Sequence, residues 1–422
     1  MARISRRGFL SHGAASVGAL AGASLLGNAL LTTRMAFGAP NSATDGRFVF
    51  IIMRGALDGL SAVPPYGDSA YAALRGPIAV PPPGASDGGL RLDNLFALHP
   101  SLDFLHESFG AKELLVAHAV ASPYRERSHF DGQDVLESGV GRPHASETGW
   151  LNRALGAQEG ARHGLGIALG TNVPLVMRGS AEVASWSPSR LASLSDDTLQ
   201  RVTDLYASDG LLGQRLADAL ASQSIANEDQ AGSDEKMPAG DASAGAKRGP
   251  GAHFEETTRA AASFLARADG PRVAVLETSG WDTHANEGGA KGQLAQRLAA
   301  LDAGLRAFKT ALGPAWKNTV VVMATEFGRT AATNGTRGTD HGTGSAAFVL
   351  GGAVYGGRVL ADWPDLGPSG LYQGRDLKPT TDLRSLLKGV LHEQLRISDR
   401  TLDATVFPDS AGARRIDGLV RT

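Results

Sequence analysis

The chain has 422 residues, a formal net charge of −2 at pH 7 and a pI near 6.6. This near-neutral balance gives no bulk electrostatic attraction to nucleic acid or to an anionic membrane surface, so we expect neither as a partner. The sequence contains no cysteine, which excludes disulfides, thiolate metal sites and cysteine nucleophiles. Any metal must therefore be bound through His, Asp, Glu or hydroxyl groups.

The first residues have the order of an export signal. Arg6 and Arg7 precede an uncharged stretch rich in Gly, Ala and Leu at residues 13–31, and small residues follow near position 38. We predict that residues 1–38 are a twin-arginine signal peptide, which makes the twin-arginine translocase a partner during export and the mature chain periplasmic or secreted. The alternative is a retained membrane anchor, since the stretch is just long enough to span hydrocarbon, although its glycines dilute it. We expect no stable membrane insertion of the mature chain.

Continuous apolar runs predict four buried strands, at residues 47–53, 113–120, 271–277 and 318–325. Helical patterns lie between them, at residues 102–109, 255–268 and 292–312. Strands that are apolar on both faces and alternate with helices predict a parallel sheet covered on both sides. In such sheets ligands bind at the carboxyl ends of the strands, so the loops after these four strands are where we look for chemistry.

Two segments are predicted to lack regular structure. Residues 60–95 contain paired and tripled prolines and predict a long irregular excursion. Residues 222–251 consist of small and polar residues that cannot bury a core, and they predict a disordered surface insertion. We therefore predict one large α/β domain over residues 45–420 with that insertion inside it.

The loops after the first and second strands carry candidate functional residues. Asp58 lies in a glycine-flanked turn, where a short carboxylate is a ligand for a hard cation or bonds its own backbone. Ser128 precedes a helical pattern and has Asp131 three residues later, a spacing typical of a capping box. Because a helix N-terminus attracts anions, and Arg127 and His129 add positive charge, Ser128 is also a candidate nucleophile or part of an anion clamp.

The third and fourth strands end in the most specific local pattern. Asp282 and His284 follow the third strand two residues apart, and side chains at i and i+2 of an extended segment point the same way. They can therefore reach one metal ion, or form an Asp/His hydrogen-bonded pair. The fourth strand ends at Glu326, and a short glycine-rich loop then brings Asp340 and His341.

These motifs together resemble an exported family catalogued as domain of unknown function 1501, within the alkaline-phosphatase-like and sulfatase-like superfamily. The resemblance spans nearly the whole mature chain and is carried by six motifs: Arg54-Gly55-Ala56-Leu57-Asp58-Gly59-Leu60, Leu98-His99-Pro100, Arg127-Ser128-His129-Phe130-Asp131, Gly280-Trp281-Asp282-Thr283-His284, Thr325-Glu326-Phe327-Gly328-Arg329 and Asp340-His341-Gly342. It implies a three-layer αβα sandwich with a doubly wound, mainly parallel sheet.

The resemblance also implies a divalent metal site, Zn or another of Mg, Mn, Ca and Fe, with one ion or two. The implied ligands are Asp58, Asp282, His284, Glu326, Asp340 and His341. The implied catalytic residues are Ser128 as nucleophile, with Arg127, His129 and Arg329 beside the substrate.

One departure from the superfamily pattern concerns the residue pair after the fourth strand. Glu326 is followed by Phe327, whereas the superfamily places Asp and His side by side, so one metal site lacks an imidazole here. The expected activity is hydrolysis of a small phosphate or sulfate ester. The rival expectation is a non-catalytic exported binding or assembly protein that retains the fold.

Overall fold

The computed structural model describes residues 45–158, 165–188 and 250–421, together with isolated residues between 202 and 217. The chain divides into two units, residues 37–194 with 223–422, and residues 1–36 with 195–222. Every element named below belongs to the first unit. The predicted signal peptide and nearly all of the predicted insertion at 222–251 lie outside the described residues. Among the helices that are described, none has both the length and the apolarity to cross a bilayer.

Thirteen strands occur in the described ranges. In chain order they are β1 (Arg47–Arg54), β2 (Leu90–Arg91), β3 (Ala97–Leu98), β4 (Leu114–Ala121), β5 (Gly166–Leu169), β6 (Val183–Trp186), β7 (Val273–Ser279), β8 (Thr319–Ala324), β9 (Ser345–Leu350), β10 (Arg358–Leu360), β11 (Leu371–Tyr372), β12 (Asp376–Leu377) and β13 (Thr381–Asp382).

The α-helices of the same ranges are α1 (Gly59–Ala62), α2 (Tyr71–Arg75), α3 (Asp103–Gly110), α4 (His129–Ser138), α5 (Trp150–Gly156), α6 (Pro250–Ala266), α7 (Gln293–Leu312), α8 (Leu383–Leu395) and α9 (Asp399–Thr401). The segment predicted to be irregular contains the two short helices α1 and α2, so that expectation was too strong. All four predicted strands and all three predicted helical segments are present, with ends shifted by a few residues.

The main sheet has nine strands in the order β10-β4-β9-β8-β1-β7-β5-β6, with β13 paired to β4 outside this path. Strand β1 is central and runs parallel to both of its neighbours, β7 and β8. Strand β9 is antiparallel to β4 and to β8, and it is the exception in an otherwise parallel sheet. The predicted mainly parallel sheet is confirmed, and five further strands, β5, β6, β9, β10 and β13, extend it beyond the predicted four.

Side chains of β1 alternate between two hydrophobic cores, one on each face of the sheet. Val49 and Ile51 pack in the core that contains residues of α3, α6 and α7. Phe48 and Phe50 pack in the opposite core with residues of α5 and α8, where the Trp150 ring meets both of them edge-on. Helices thus cover both faces, which gives the predicted three-layer αβα sandwich.

Helix α7 shows how the sequence pattern produces this packing. Its apolar positions recur every three or four residues, and each of them is buried against the sheet: Leu294, Leu298, Leu301, Leu305 and Phe308. Burial of such a side chain stabilises the fold by about 1.5–3 kcal/mol relative to exposure. The stripe fixes which face of α7 meets the sheet.

Strand direction decides where the polar loops meet. The strands β1, β4, β7 and β8 all run the same way, because β9 reverses once between β8 and β4. Their carboxyl ends therefore share one edge of the sheet, and the antiparallel β9 begins at that same edge. Residues that follow the four strands, and residues that precede β9, are brought to one place.

Candidate metal centre

Four side chains from three of these segments meet at the sheet edge. They are His129 at the start of α4, Asp282 and His284 after β7, and His341 before β9. We call these four residues the ligand cluster. Their side chains are between 25% and 45% exposed, so the cluster lies at the surface of the sheet edge and is open to solvent.

Donor atoms of the ligand cluster approach one another closely. The Nε2 atom of His284 lies 3.0 Å from Nε2 of His341. Oδ1 of Asp282 lies 3.1 Å from Nε2 of His284 and 3.2 Å from Nε2 of His341. Oδ2 of the same aspartate lies 3.4 Å from Nε2 of His129. Donor atoms of His129, Asp282 and His341 all lie within 4.8 Å of one another, and no second group of this kind occurs in the described part of the chain.

The second nitrogen of each imidazole decides which nitrogen holds the proton. Nδ1 of His341 lies 2.9 Å from the carbonyl oxygen of Arg127, which can only accept, so this nitrogen carries the hydrogen. Nδ1 of His129 lies 2.8 Å from the carboxylate of Glu326, which acts in the same way when ionised. In the neutral rings the Nε2 atoms of His341 and His129 then carry lone pairs directed into the cluster.

The third imidazole follows the same arrangement. Nδ1 of His284 lies 3.4 Å from Oδ1 of Asp340, again an oxygen that accepts. Histidines that bind a metal usually donate the other ring N–H to a carboxylate or a backbone carbonyl. His129 and His341 are therefore held in the orientation and tautomer that metal binding requires, and His284 has an acceptor of the same kind 3.4 Å from its Nδ1.

The donor chemistry fits a divalent ion. Lone pairs of His284 and His341 that face each other at 3.0 Å repel unless a cation or a proton lies between them. Nε2 of His129 is buried and has no hydrogen-bond partner, and such an orphaned atom calls for a ligand. Zn–N bonds of 2.0–2.1 Å at tetrahedral angles separate neighbouring donor atoms by about 3.3 Å. The contacts of Asp282 with the three imidazoles and of His284 with His341 are close to this value, whereas His284 is outside the group of three whose donor atoms all lie within 4.8 Å of one another.

Arg329 fixes the aspartate of the ligand cluster. Its guanidinium is fully buried and donates to Oδ1 of Asp282 at 2.6 Å. It also donates to the backbone oxygen of Thr339 at 2.6 Å and to the hydroxyl of that residue at 3.2 Å. Burial opposes ionisation of Asp282, but the Arg329 guanidinium lowers the pKa of this carboxyl below its usual value. Arg329 therefore lies beneath the cluster and keeps Asp282 charged.

Glu326 orients His129 in the same way as Arg329 orients Asp282. It is fully buried and also accepts hydrogen bonds from the backbone N–H of Gly55 at 2.8 Å and from the hydroxyl of Thr325 at 2.8 Å. The hydrogen bond from His129 offsets the effect of burial and lowers the pKa of Glu326, and the same bond raises the pKa of His129. Phe327 stacks on the His129 ring with centroids 5.0 Å apart. Glu326 thus reaches the cluster through His129.

Ser128 is the N-terminal cap residue of α4, but its hydroxyl does not cap the helix. The predicted capping box is wrong, because Asp131 is engaged elsewhere, by the Tyr124 hydroxyl at 3.3 Å and by His144 at 3.0 Å. The backbone N–H of Ser128 donates to the Tyr124 hydroxyl at 3.1 Å. Ser128 lies between two residues that contact the cluster, since the carbonyl of Arg127 binds His341.

Arg127 is positioned by its own side chain. Its Nε and Nη2 atoms lie 2.9 and 2.8 Å from Oδ2 of the buried Asp376, and Nη2 lies 2.8 Å from the side-chain oxygen of Gln373. Its φ of 62° is in the left-handed region, which costs a non-glycine residue about 1 kcal/mol. This backbone turn directs the Arg127 carbonyl to His341.

The structure does not bring Asp58 into the ligand cluster. Its carboxylate is buried, caps α1 through the Ser61 N–H at 3.0 Å, and is paired with the fully buried guanidinium of Arg75. The hydroxyl oxygen of Thr339 lies 3.2 Å from it. Asp340 is half-exposed and contacts His284 and Asn334, so it supports the cluster from outside.

One feature of the sequence points to the role of His129. Glu326 is followed by Phe327, where the superfamily pattern has a histidine, and that departure leaves an imidazole unaccounted for. The structure places His129 of α4 against Glu326 and stacks it on Phe327. Arg75 has no such signal, because it lies 17 residues from its partner Asp58 in a segment without a recognisable pattern.

The comparisons with known proteins agree with the predicted family. A family described as a protein of unknown function, DUF1501, matches residues 108–406, which is more than half of the chain. The chain belongs to the DUF1501 family. No curated protein matches it.

Solved structures similar to this DUF1501 protein share little sequence with it. The structure of Ps i-CgsB has 11% identity and a TM-score of 0.40, covering 88% of this chain and 77% of its own. A phosphonate monoester hydrolase of Agrobacterium radiobacter has 11% identity and a TM-score of 0.35, covering 83% and 74%. A TAB5 alkaline phosphatase mutant with bound Mg has 14% identity and a TM-score of 0.32, covering 74% and 94%. TM-scores this low support no conclusion about the activity of this chain. The α/β assignment rests on the observed sheet and the helices on its two faces.

Proposed function

We propose that this DUF1501 protein is a metal-dependent hydrolase of phosphate or sulfate esters. The observation that carries the proposal is the ligand cluster, in which three imidazoles turn their Nε2 atoms toward Asp282 and two of them, His129 and His341, have a hydrogen-bonded Nδ1. Its partial exposure to solvent favours access for a substrate, whereas a purely structural ion is commonly enclosed by its ligands.

The ligand cluster, Ser128 and Arg329 would have different roles in ester hydrolysis. A divalent ion held by His129, Asp282, His284 and His341 would supply Lewis acidity toward an ester oxygen. Ser128, at the N-terminus of α4, is the candidate nucleophile, because helix amides at that end favour an anionic group beside it. Arg329 keeps the Asp282 carboxylate ionised and oriented.

The central experiment combines metal analysis with one substitution and a matched control. Purified protein is expected to carry a stoichiometric divalent ion and to hydrolyse an aryl phosphate or an aryl sulfate. Ser128→Ala should lower turnover by about a thousandfold or more with metal content unchanged, because removal of a nucleophile commonly costs at least this much. Ser138→Ala, at the other end of α4, should keep full turnover.

Two results would overturn the proposal. One is metal-loaded protein that hydrolyses neither ester class. The other is Ser128→Ala with the turnover of the unchanged chain, which would remove the nucleophile from the scheme.

A second candidate function is a non-catalytic exported binding or assembly protein with a structural ion. The observation that favours it is the number of protein donors, because four side chains satisfy a tetrahedral ion and leave no position open. The two candidates differ in how the ion meets water. Exchangeable water on the bound ion, detected by water proton relaxation with Mn²⁺ in the site, supports the hydrolase, and its absence supports the structural ion.

We further propose that the protein is exported through the twin-arginine route and acts in the periplasm or outside the cell. Arg6 and Arg7 ahead of the uncharged stretch support this. A double Arg6→Lys, Arg7→Lys variant should accumulate in the cytoplasm, as fractionation and immunoblotting would show. Unchanged export of the double variant would contradict the proposal.

A further inference from the structure

Two loops supply three of the four residues of the ligand cluster. The first ligand loop, residues 280–287, carries Asp282 and His284, and the second ligand loop, residues 334–342, carries His341. They lie far apart in the chain, yet a metal ion tolerates errors of only a few tenths of an ångström in the separation of its ligands. Something must hold one loop at a fixed distance from the other.

Glu287 is the last residue of the first ligand loop, and its side chain bonds to residues of both loops. It is fully buried, and its Oε2 accepts a hydrogen bond from the Thr283 hydroxyl at 3.0 Å and from the Thr339 hydroxyl at 2.9 Å. Thr283 is the residue between Asp282 and His284, and Thr339 lies two residues before His341. One carboxylate oxygen of Glu287 therefore bonds to the residue between Asp282 and His284 and also to the residue two positions before His341.

The other oxygen of Glu287 is attached to the body of the fold. Oε1 accepts from the hydroxyl of Ser61 in α1 at 3.0 Å, and the fully buried guanidinium of Arg75 lies 3.5 Å away. Arg75 is itself fixed by Asp58 and by the backbone oxygen of Thr330 at 3.2 Å. The carboxylate is thus anchored on one side and holds the ligand loops on the other.

A second path leads from Glu287 to the ligand cluster. The Thr339 hydroxyl that donates to Glu287 accepts from Nε of Arg329, and the same guanidinium donates to Asp282. A change at Glu287 would therefore reach Asp282 in two ways, through Thr283 beside it and through Thr339 and Arg329.

We propose that Glu287 is a positioning residue, whose carboxylate sets the separation of the two ligand loops and thereby the affinity of the ligand cluster for a divalent ion. The inference rests on the metal centre of the proposed function. It does not depend on hydrolysis, because it concerns the metal affinity of the chain and not turnover.

The test compares two substitutions that each delete one hydroxyl bonded to Glu287. Thr283→Val removes the bond to a ligand loop, and Ser61→Ala removes the bond to α1. Zn²⁺ affinity is measured at pH 7 by competition with a chromophoric chelator. Thr283→Val should weaken the affinity by about 10- to 100-fold, the range typical for residues that orient metal ligands. Ser61→Ala should stay within about threefold of the unchanged chain.

Two further variants separate positioning from general loss of structure. Thr283→Ser restores a hydroxyl and should restore the affinity, and Thr339→Val should weaken it as Thr283→Val does. The visible spectrum of the Co²⁺-loaded protein should change in Thr283→Val and Thr339→Val and stay the same in Ser61→Ala. This spectrum reports coordination geometry, which a merely less stable fold would leave unaltered.

The outcomes distinguish this inference from the proposed function. Equal losses of affinity in Ser61→Ala and Thr283→Val, or full affinity in Thr283→Val, would overturn the role of Glu287. Metal binding by the unchanged chain without hydrolysis of either ester would overturn the hydrolase alone. Absence of Zn²⁺ and Co²⁺ binding in the unchanged chain would overturn both.

Discussion

Two charged clusters lie at the same edge of the sheet and obtain their positive charge in different ways. The buried cluster, Asp58, Arg75 and Glu287, contains its own cation, because the Arg75 guanidinium contacts both carboxylates. The ligand cluster has a carboxylate and three imidazoles, with Arg329 bonded to only one oxygen of Asp282. The first is closed to water and the second is partly open.

The difference indicates which cluster can take an ion from solution. An ion in the buried cluster would have to displace Arg75, which leaves a guanidinium without a partner inside the protein at a high cost. The ligand cluster requires no displacement, because its Nε2 lone pairs already face one another. The comparison thus supports one metal ion at this edge of the sheet rather than two. Asp58 is the ion-pair partner of Arg75 and not a metal ligand.

The largest expected effect follows from removing that internal cation. Arg75→Met removes the guanidinium that contacts two buried carboxylates and should lower the free energy of unfolding by about 3–5 kcal/mol. The control is Arg306→Met, which breaks an exposed pair with Glu107 and should cost less than about 1 kcal/mol. Urea denaturation measures both. Equal losses in the two variants would show that the buried cluster does not depend on Arg75.

The second prediction concerns the bound ion. Because an ion that binds only the folded state stabilises it, a chelator should lower the stability of the unchanged chain by about 2.7 kcal/mol when the free ion had been at 100 times its Kd. Asp282→Ala should be insensitive to the chelator. The control is Glu107→Ala, which removes an exposed carboxylate that pairs with Arg306 and contacts no residue of the cluster, and it should keep the full response. Thermal denaturation with and without chelator measures this, and a full response in Asp282→Ala would remove that residue from the site.

The third prediction is a pH dependence in the buried cluster. Burial, followed by the charge of Asp58, raises the pKa of Glu287 to about 8, well above the 4.5 of an exposed glutamate. Between these two pKa values the folded state binds a proton that the unfolded chain has released. The resulting contribution of Glu287 to the free energy of unfolding is therefore fully present below pH 4.5 and is lost as the pH rises toward 8. Between pH 6 and pH 7 the loss should reach at most about 1.4 kcal/mol.

A neutral replacement tests that pH dependence. Glu287→Gln cannot ionise, so its stability should change less than that of the unchanged chain between pH 6 and pH 8, as urea denaturation at each pH would show. Identical pH profiles for the two proteins would mean that Glu287 does not titrate in this range.

The same comparison shows what the sequence could predict. Runs such as residues 47–53 predicted strands buried on both faces, since a parallel sheet covered by helices requires apolar side chains on both sides. The carboxyl-end rule then predicted where Asp282, His284 and His341 would meet. These predictions depend on patterns within one segment and on strand direction, and both can be recognised from residues that are close together in the sequence.

The parts that could not be predicted depend on pairs of side chains distant in the sequence. Asp58 in a glycine-flanked turn has the same local pattern whether it binds a metal or Arg75, and only the fold decides between them. His129 was predicted to supply positive charge, and only the fold shows that its Nδ1 bonds to Glu326 while its Nε2 faces Asp282. Strand β9 contains an apolar run at residues 346–350, but its antiparallel direction depends on pairing with β4 and β8 and cannot be predicted from that run.

The smallest expected effect concerns the rim of the ligand cluster. Phe130 follows His129 in the first turn of α4 and is 87% exposed, and the other exposed large apolar side chain among the described residues is Tyr355, at 57%. Phe130→Ala should change the free energy of unfolding by less than about 0.5 kcal/mol, because the ring packs on little. If an apolar part of an ester substrate contacts this ring, KM should rise about tenfold with kcat unchanged, which corresponds to about 1.4 kcal/mol.

Tyr355 provides the matched control for that substitution. It follows β9, which begins at the edge of the ligand cluster and runs away from it, so Tyr355 lies beyond the opposite edge of the sheet. Tyr355→Ala removes a comparable ring and should leave KM unchanged. Steady-state kinetics on aryl esters with small and large leaving groups would decide the matter. An equal KM for Phe130→Ala and the unchanged chain on both esters would exclude Phe130 from the substrate site, and the ligand cluster would then bind its substrate without an apolar contact from α4.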